Sequence, residues 1–182
     1  MYPIRNPVIF SLAFLFAILL ATVPTLAQSR ITEQSRLTLN SLGQVQVGMT
    51  LKQAETANGT KFIVEDEQNP YCFYIKPQGG PSGMAFMMVD YKIARIDIFD
   101  NPRMTTLSGA KIGDSEERIK SLYPRQIEVT PHKYDNNGHY LTFVPRDNRD
   151  RDYRLIFETD GKKVTRFRSG KLPAVGYIEG CA

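Results

Sequence analysis

An α+β fold of two tandem repeats is predicted for this 182-residue chain. Each repeat is read as a short capped helix followed by an antiparallel β-meander, with the two sheets joined side by side. Three observations predict it. Residues 42–55 (LGQVQVGMTLKQAE) have a counterpart 65 positions later, residues 107–120 (LSGAKIGDSEERIK). Both passages give a short apolar alternation, a glycine, a polar cap and a helical run. Behind each come segments rich in aromatic and β-branched residues, separated by turn residues.

Repeat one covers residues 42–99. Leu42, Val45 and Val47 are apolar while Gln44 and Gln46 are polar, which suits one short extended segment, and Gly48 then turns the chain. Thr50 fits an N-cap, and Gln53 three residues on completes a capping-box pattern. Leu51, Ala54 and Ala57 share a helical face, and Asn58-Gly59 is a natural stop. A short strand at residues 61–64 precedes three fuller ones, at 71–76 (YCFYIK), 84–89 and 92–99. The loop QGGPSG separates the first two, and Asp90-Tyr91 joins the last two as a hairpin.

Repeat two covers residues 107–168. Ile112-Gly113 matches Val47-Gly48, Asp114 or Ser115 caps the helix, and Ile119 and Leu122 take the places of Ala54 and Ala57. Residues 140–145 (YLTFVP) match 72–77 (CFYIKP) at an offset of 68. Residues 153–159 match 83–89 at 70, and 163–168 match 92–97 at 71, which aligns Arg166 with Arg95. The offset grows only in loops and turns, Asp160-Gly161-Lys162 among them, where insertions are tolerated.

The ends of the chain bear on compartment. Arg5 precedes an apolar run at residues 8–21 (VIFSLAFLFAILLA), and Thr25-Leu26-Ala27 reads as a cleavage site. The run is shorter than the ~20 residues of a spanning helix, so residues 1–27 are expected to be a cleaved signal peptide. The expected location is therefore periplasmic or extracellular, with no stable membrane anchor after cleavage. Residues 28–41 (QSRITEQSRLTLNS) are read as a mobile polar arm. Residues 169–182 (SGKLPAVGYIEGCA) form a tail that argues against a regular element. Cys72 and Cys181 are the two cysteines, both in the exported part. A disulfide tying the tail back is the leading reading, with a buried thiol and a reactive thiol as alternatives. Closing a loop between positions 109 apart in sequence this way stabilises by roughly 4–5 kcal/mol on the chain-entropy model.

Net charge is +4, and +3 once residues 1–27 are removed, too mild and scattered for nucleic acid. His132, Asp135 and His139 share a loop without a regular metal motif, so a hairpin loop with incidental histidines is the better reading. Asn148, Asp150 and Asp152 stand at calcium-loop positions, but Tyr153 replaces the required glycine and Thr159 the closing glutamate. No nucleophile elbow, phosphate loop, dinucleotide fingerprint or HExxH occurs. No catalytic residue, metal or cofactor is therefore expected.

Strand alternation supplies the candidate site. Phe73, Ile75, Ile96, Ile98, Leu141, Phe143 and Phe167 are expected to face the helices. Tyr74, Lys76, Arg95, Asp97, Tyr140, Thr142, Arg166 and Arg168 are left on the other face. Tyrosine and arginine are enriched in recognition surfaces, so Tyr74, Arg95, Tyr140, Arg166 and Arg168 are the candidate binding residues.

The openings VQVGMTLKQAE and AKIGDSEERIK, each followed by strands, resemble the β-lactamase inhibitory protein family and the related SmpA/OmlA-type domain over residues 42–168. The resemblance implies a concave sheet surface that grips a partner protein. The inhibitor's disulfide within each repeat and the lipoprotein domain's N-terminal cysteine are both missing, so inhibition of β-lactamase is not carried over. The expected function is an exported, non-enzymatic module binding a protein or peptide through the open face of its sheet. An envelope structural protein is the alternative, and an enzyme using Cys72 or the His132/His139 loop a third.

Overall fold

Among the described residues, two short helices are fixed by their caps. In a computed structural model, which describes residues 30–65 and 69–181, α1 spans Leu51–Asn58 and α2 spans Glu116–Leu122. Thr50 accepts the Gln53 N–H while the Gln53 side chain accepts the Thr50 N–H at 2.8 Å, a full capping box. Gly59 ends α1 in the left-handed conformation at φ 66°. Ser115 caps α2, whose first turn carries Glu116 and Glu117, favourable at the positive end of the helix dipole. Helices of this length are marginal alone. Buried Ala54 and Ile119 hold them against the sheet.

Among the described residues, twelve strands make two sheets. The smaller comprises β1 (Arg36–Leu37), β2 (Ser41–Leu42), β3 (Val45–Gln46) and β8 (Thr105–Thr106), in the order β3-β2-β1-β8. The larger comprises β4 (Phe62–Glu65), β5 (Cys72–Pro77), β6 (Met84–Val89), β7 (Lys92–Ile98), β9 (Ile127–Pro131), β10 (His139–Phe143), β11 (Tyr153–Thr159) and β12 (Val164–Lys171). Its order is β4-β5-β6-β7-β12-β11-β10-β9, antiparallel throughout, with β7 and β12 meeting at the centre. The fold is thus α+β and mostly strand. The Asp90-Tyr91 hairpin is as expected, with both residues at positive φ, 48° and 62°, as a tight two-residue turn demands.

Each central strand carries a bulge. In β7, Arg95 pairs with Met87 and Ile93 with Met88, so Ala94 is the extra residue. In β12, Arg166 pairs with Glu158 and Val164 with Thr159, so Thr165 is extra. The added residue resets the alternation. Ile93 and Ile96 both enter the core, as do Val164 and Phe167, while Arg95 and Arg166 are delivered to the opposite face.

One main core lies between the helices, the small sheet and the inner face of the large sheet. Ile75, Ile96, Ile98, Leu141 and Phe167 are buried in it, with Phe73 and Phe143 packed at its margin, as the alternation predicts. Four expectations need correction. Residues 30–41 are no loose arm: Ile31 and Leu37 are core residues, and β1 pairs in parallel with β8. The apolar side chains of this segment, though separated in sequence, seat it together with the β1–β8 pairing and a buried bond from the Ile31 N–H to Asn58. The single extended segment at residues 42–47 is a β2–β3 hairpin turning at Gly43 (φ 58°), with Leu42 and Val45 both buried. Strand β9 was not expected, because its mostly exposed edge position needs no apolar alternation. Finally, β12 runs on to Lys171, so the tail proper starts at Leu172. The expected signal peptide, residues 1–27, lies outside the described residues. Among the described residues no helix is long and apolar enough to cross a membrane.

Candidate functional site beneath the C-terminal strap

The outer face of the large sheet, expected to be open, is covered at its centre. After Leu172 the chain turns back through a 3-10 turn at Ala174–Gly176, which packs on β7, β11 and β12. A disulfide joins Cys181 to Cys72 of β5, with Cα atoms 5.2 Å apart. We term residues 173–181 the strap. Beneath it Val175 is fully buried with Tyr140 and Ile156 in a second, small apolar cluster.

Two arginines hold the strap by its backbone. Arg95 donates from Nη1 to the carbonyls of Ala174 (3.2 Å) and Tyr177 (2.6 Å), from Nη2 to the Tyr74 hydroxyl (2.7 Å) and from Nε to Asp97 (2.9 Å). Arg168 donates from Nε to the Val175 carbonyl (2.7 Å) and from Nη1 to Glu158, and lies over the Tyr140 ring. The register explains the access. Arg168 faces Asp97 across β12 and β7, and Arg95 faces Gly170, where a Cβ would come within 2.4 Å of the Ala94 carbonyl. Strap and sheet also touch closely at Gly180, whose added Cβ would lie 2.6 Å from the Tyr74 hydroxyl.

Burial shapes the charges here. Asp97 is pushed above the usual carboxylate range by burial, only partly offset by the Arg95 and Arg168 guanidiniums. Burial also raises the Tyr74 phenol, reinforced by the Asp97 charge. Glu158 is the hub of the other half: besides Arg168 it faces Arg166 Nε at 3.6 Å and His132 Nε2 at 3.5 Å. His132 accepts the N–H groups of Tyr134 and Asp135 on Nδ1 and stacks on Tyr140 with ring centroids 4.6 Å apart. It is therefore part of this face and no incidental loop residue.

Of the five candidate residues, Arg95, Tyr140 and Arg168 are buried under the strap and Tyr74 is half-covered. Arg166 alone stays open, its side chain 59% exposed against 5% for Arg168. It stands between clefts of ≈ 330 Å³ and ≈ 530 Å³ that flank the strap at Ile178 and Glu179. Sequence alternation put these residues on one face, and the structure does bring them together. The strap's side of the site went unread, because main-chain carbonyls leave no sequence signal. Glu158 was also missed, although its alternation with Ile156 and Arg154 marks it as an outer-face residue.

The residues of the alternative enzyme reading do not converge. The Cys72 sulfur is in the disulfide. His139 points to the inner face, 2.8 Å from Glu116 of α2, whereas His132 lies on the outer face. Among the described residues no group of three or more His, Cys, Asp or Glu side chains is disposed to hold a metal. What the site can do chemically is clamp a turn of backbone: two guanidiniums take three carbonyls of the 3-10 turn and its exit, and an aliphatic side chain fills the slot beside Tyr140.

No protein-family model matches this chain, and no curated protein does. Among solved structures, the crystal structure of the uncharacterized protein yfeY from Escherichia coli is similar at 13% sequence identity and a TM-score of 0.48, covering 75% of this chain and 100% of that one.

Proposed function

We propose that this protein is an exported, non-enzymatic binding module that takes a short, turn-forming segment of a protein or peptide on the outer face of its large sheet. The observation that carries the reading is the Arg95 and Arg168 clamp on the carbonyls of Ala174, Val175 and Tyr177, by which the face holds a peptide segment of the chain's own. The ligand class follows: carbonyls at positions i, i+1 and i+3, an aliphatic side chain at i+1, and a small residue at i+6 where Gly180 meets Tyr74. Buried Arg and Tyr groups of this kind are those that dominate recognition surfaces.

The compartment belongs to the same reading. A leader at residues 1–27 would deliver the chain to an oxidising space, and a Cys72–Cys181 disulfide is what such a space sustains. We also read the chain as two copies of one unit, in line with the inhibitor-like architecture that its sequence resembles. Matching details support this: Gly48 N–H bonds the Ile93 carbonyl at 2.7 Å and Gly113 N–H the Val164 carbonyl at 2.8 Å, and the two bulges fall at aligned positions.

The test frees the face without altering it. A chain carrying Val175→Asp and Cys181→Ser loosens its own strap, and a labelled peptide of residues 172–180 is titrated against it by fluorescence anisotropy. Saturable binding is expected, weakened about tenfold by a further Arg168→Ala, the loss of one charge-assisted hydrogen bond. No binding by a chain whose circular dichroism is native would remove the reading. The alternative, an envelope structural protein, is favoured by one observation, the covalent closure of the face, and gains in that outcome.

A further inference from the structure

The strap is fastened unevenly. Its first part is anchored by side-chain burial, with Ala174 and Val175 both enclosed. Beyond Val175 the apolar side chains turn to solvent: Tyr177 is 42% and Ile178 40% exposed. Residues 176–181 are held by the Arg95 bond to the Tyr177 carbonyl, by Glu179 bonded to Lys133 and Tyr134 at the surface, and by the disulfide. The two surface bonds are of the kind that contributes little. Cys72 and Cys181 are only half-buried and line an open cleft of ≈ 440 Å³ with Asn69, Lys133 and Tyr177. Beside the Arg95 bond, the strong fastening of the strap's outer part is therefore a disulfide that lines an open cleft.

We propose that the strap is a redox-released occupant of the peptide-binding face, and that the Cys72–Cys181 bond sets whether that face accepts a partner segment; this rests on the binding reading above. The reductant is a dithiol. One of its thiolates attacks a sulfur of the pair, the S–S bond breaks to give a mixed disulfide and one cysteine thiolate, and the donor's second thiol displaces the other cysteine. The donor leaves as a disulfide, having lost two electrons, and Cys72 and Cys181 each end as a thiol after taking up the two protons. With the bond closed, Tyr74, Arg95, Tyr140 and Arg168 are occupied. With it open, the strap stays tethered at Lys171 at an effective concentration of order millimolar, so a partner segment competes for the face instead of meeting a closed one.

The experiment follows the strap directly and needs no ligand. Hydrogen exchange of the full chain is compared in the oxidised form, in excess dithiothreitol, and in a Cys181→Ser variant. Reduction is expected to speed exchange of the Gly176 and Tyr177 amides, which bond the Pro173 and Ala174 carbonyls, about tenfold or more while β7 and β12 keep their protection. Unchanged protection of the strap in both reduced and Cys181→Ser chains would overturn the proposal. So would acceleration throughout the sheet, which would make the bond a staple of the whole fold. The two readings fail separately. A strap that opens on a face that ignores the peptide of residues 172–180 leaves the release and removes the binding. A strap that stays shut when reduced, while the Val175→Asp/Cys181→Ser chain binds that peptide, does the reverse.

Discussion

Asn58, the last residue of α1, accepts the backbone N–H of Ile31 on Oδ1 at 2.8 Å in a fully buried bond. The contact ties the start of the described chain to a helix 27 residues later and seats Ile31 in the core. Removing it by Asn58→Ala orphans a buried N–H, at a cost of about 1–3 kcal/mol. Urea denaturation should read that loss. Hydrogen exchange should show the Ile31 amide losing protection before that of β6. Equal stability of variant and wild type would mean that the segment is seated by Ile31 and Leu37 packing alone.

Gly170 and Arg95 face one another across the central strand pair. A side chain at Gly170 meets the β7 backbone itself, the Ala94 carbonyl at 2.4 Å and Arg95 Cα at 2.8 Å, and neither can swing aside. Gly170→Ala is expected to destabilise by about 2 kcal/mol or more, in the range of overpacking, and to loosen the strap by displacing Arg95. The paired readout is the urea midpoint together with the exchange rate of the Tyr177 region. A loss of stability with the strap unmoved would confine the effect to the strand pair.

Acid stability should depend on Glu116. Burial alone would raise its carboxyl, but hydrogen bonds from Thr159 and His139, with the charges of His139 and Lys120, hold it below the usual value of 4.5. Asp114 is likewise held low: against its burial stand Lys111, through side chain and backbone, and Arg118. A carboxyl that titrates lower in the folded chain lends stability that is present above its unfolded value and lost as pH falls through the folded one. Asp97, raised by burial, has the opposite sign: its contribution is lost as pH rises through its folded value. In Glu116→Gln, which still accepts from Thr159, the fall in Tm from about pH 6 to about pH 3 should be shallower than in wild type. An identical slope would assign the acid limb to other groups.

Much of this fold could be read in the sequence because its signals are local. The capping box at Thr50 and Gln53, the Ser115 cap and the Asp90-Tyr91 turn all act within four residues, and the structure has each of them. Alternation also sorted the two faces correctly beyond the bulges, from Arg95 to Ile98 and from Arg166 to Arg168. What alternation does not carry is what lies on top of a face. Tyr140 and Arg168 look like free strand residues until residues 173–181, whose apolar side chains follow no regular period, are found lying across them. The N-terminal segment hides for the same reason: Ile31 has no periodic neighbour and Leu37 has Leu39 alone, and their partners are distant in the chain.

Arg166 and Arg168 test that distinction within a single strand. Both sit on the outer face of β12, two residues apart, and both approach Glu158. Arg168 is enclosed, its Nε on the Val175 carbonyl and Nη1 on Glu158, whereas Arg166 is more than half exposed at 3.6 Å. Arg168→Ala leaves a largely buried carboxylate with only Arg166 and His132 nearby, a loss of about 3 kcal/mol, at the low end for a broken buried pair. Arg166→Ala should change stability by no more than about 0.5 kcal/mol, as exposed ion pairs do. A double-mutant cycle with Glu158→Gln separates pair from packing: strong coupling is expected with Arg168 and little with Arg166. Equal coupling of the two arginines would mean that the strap does not seclude Arg168 in solution, and the clamp on its backbone would lose its basis.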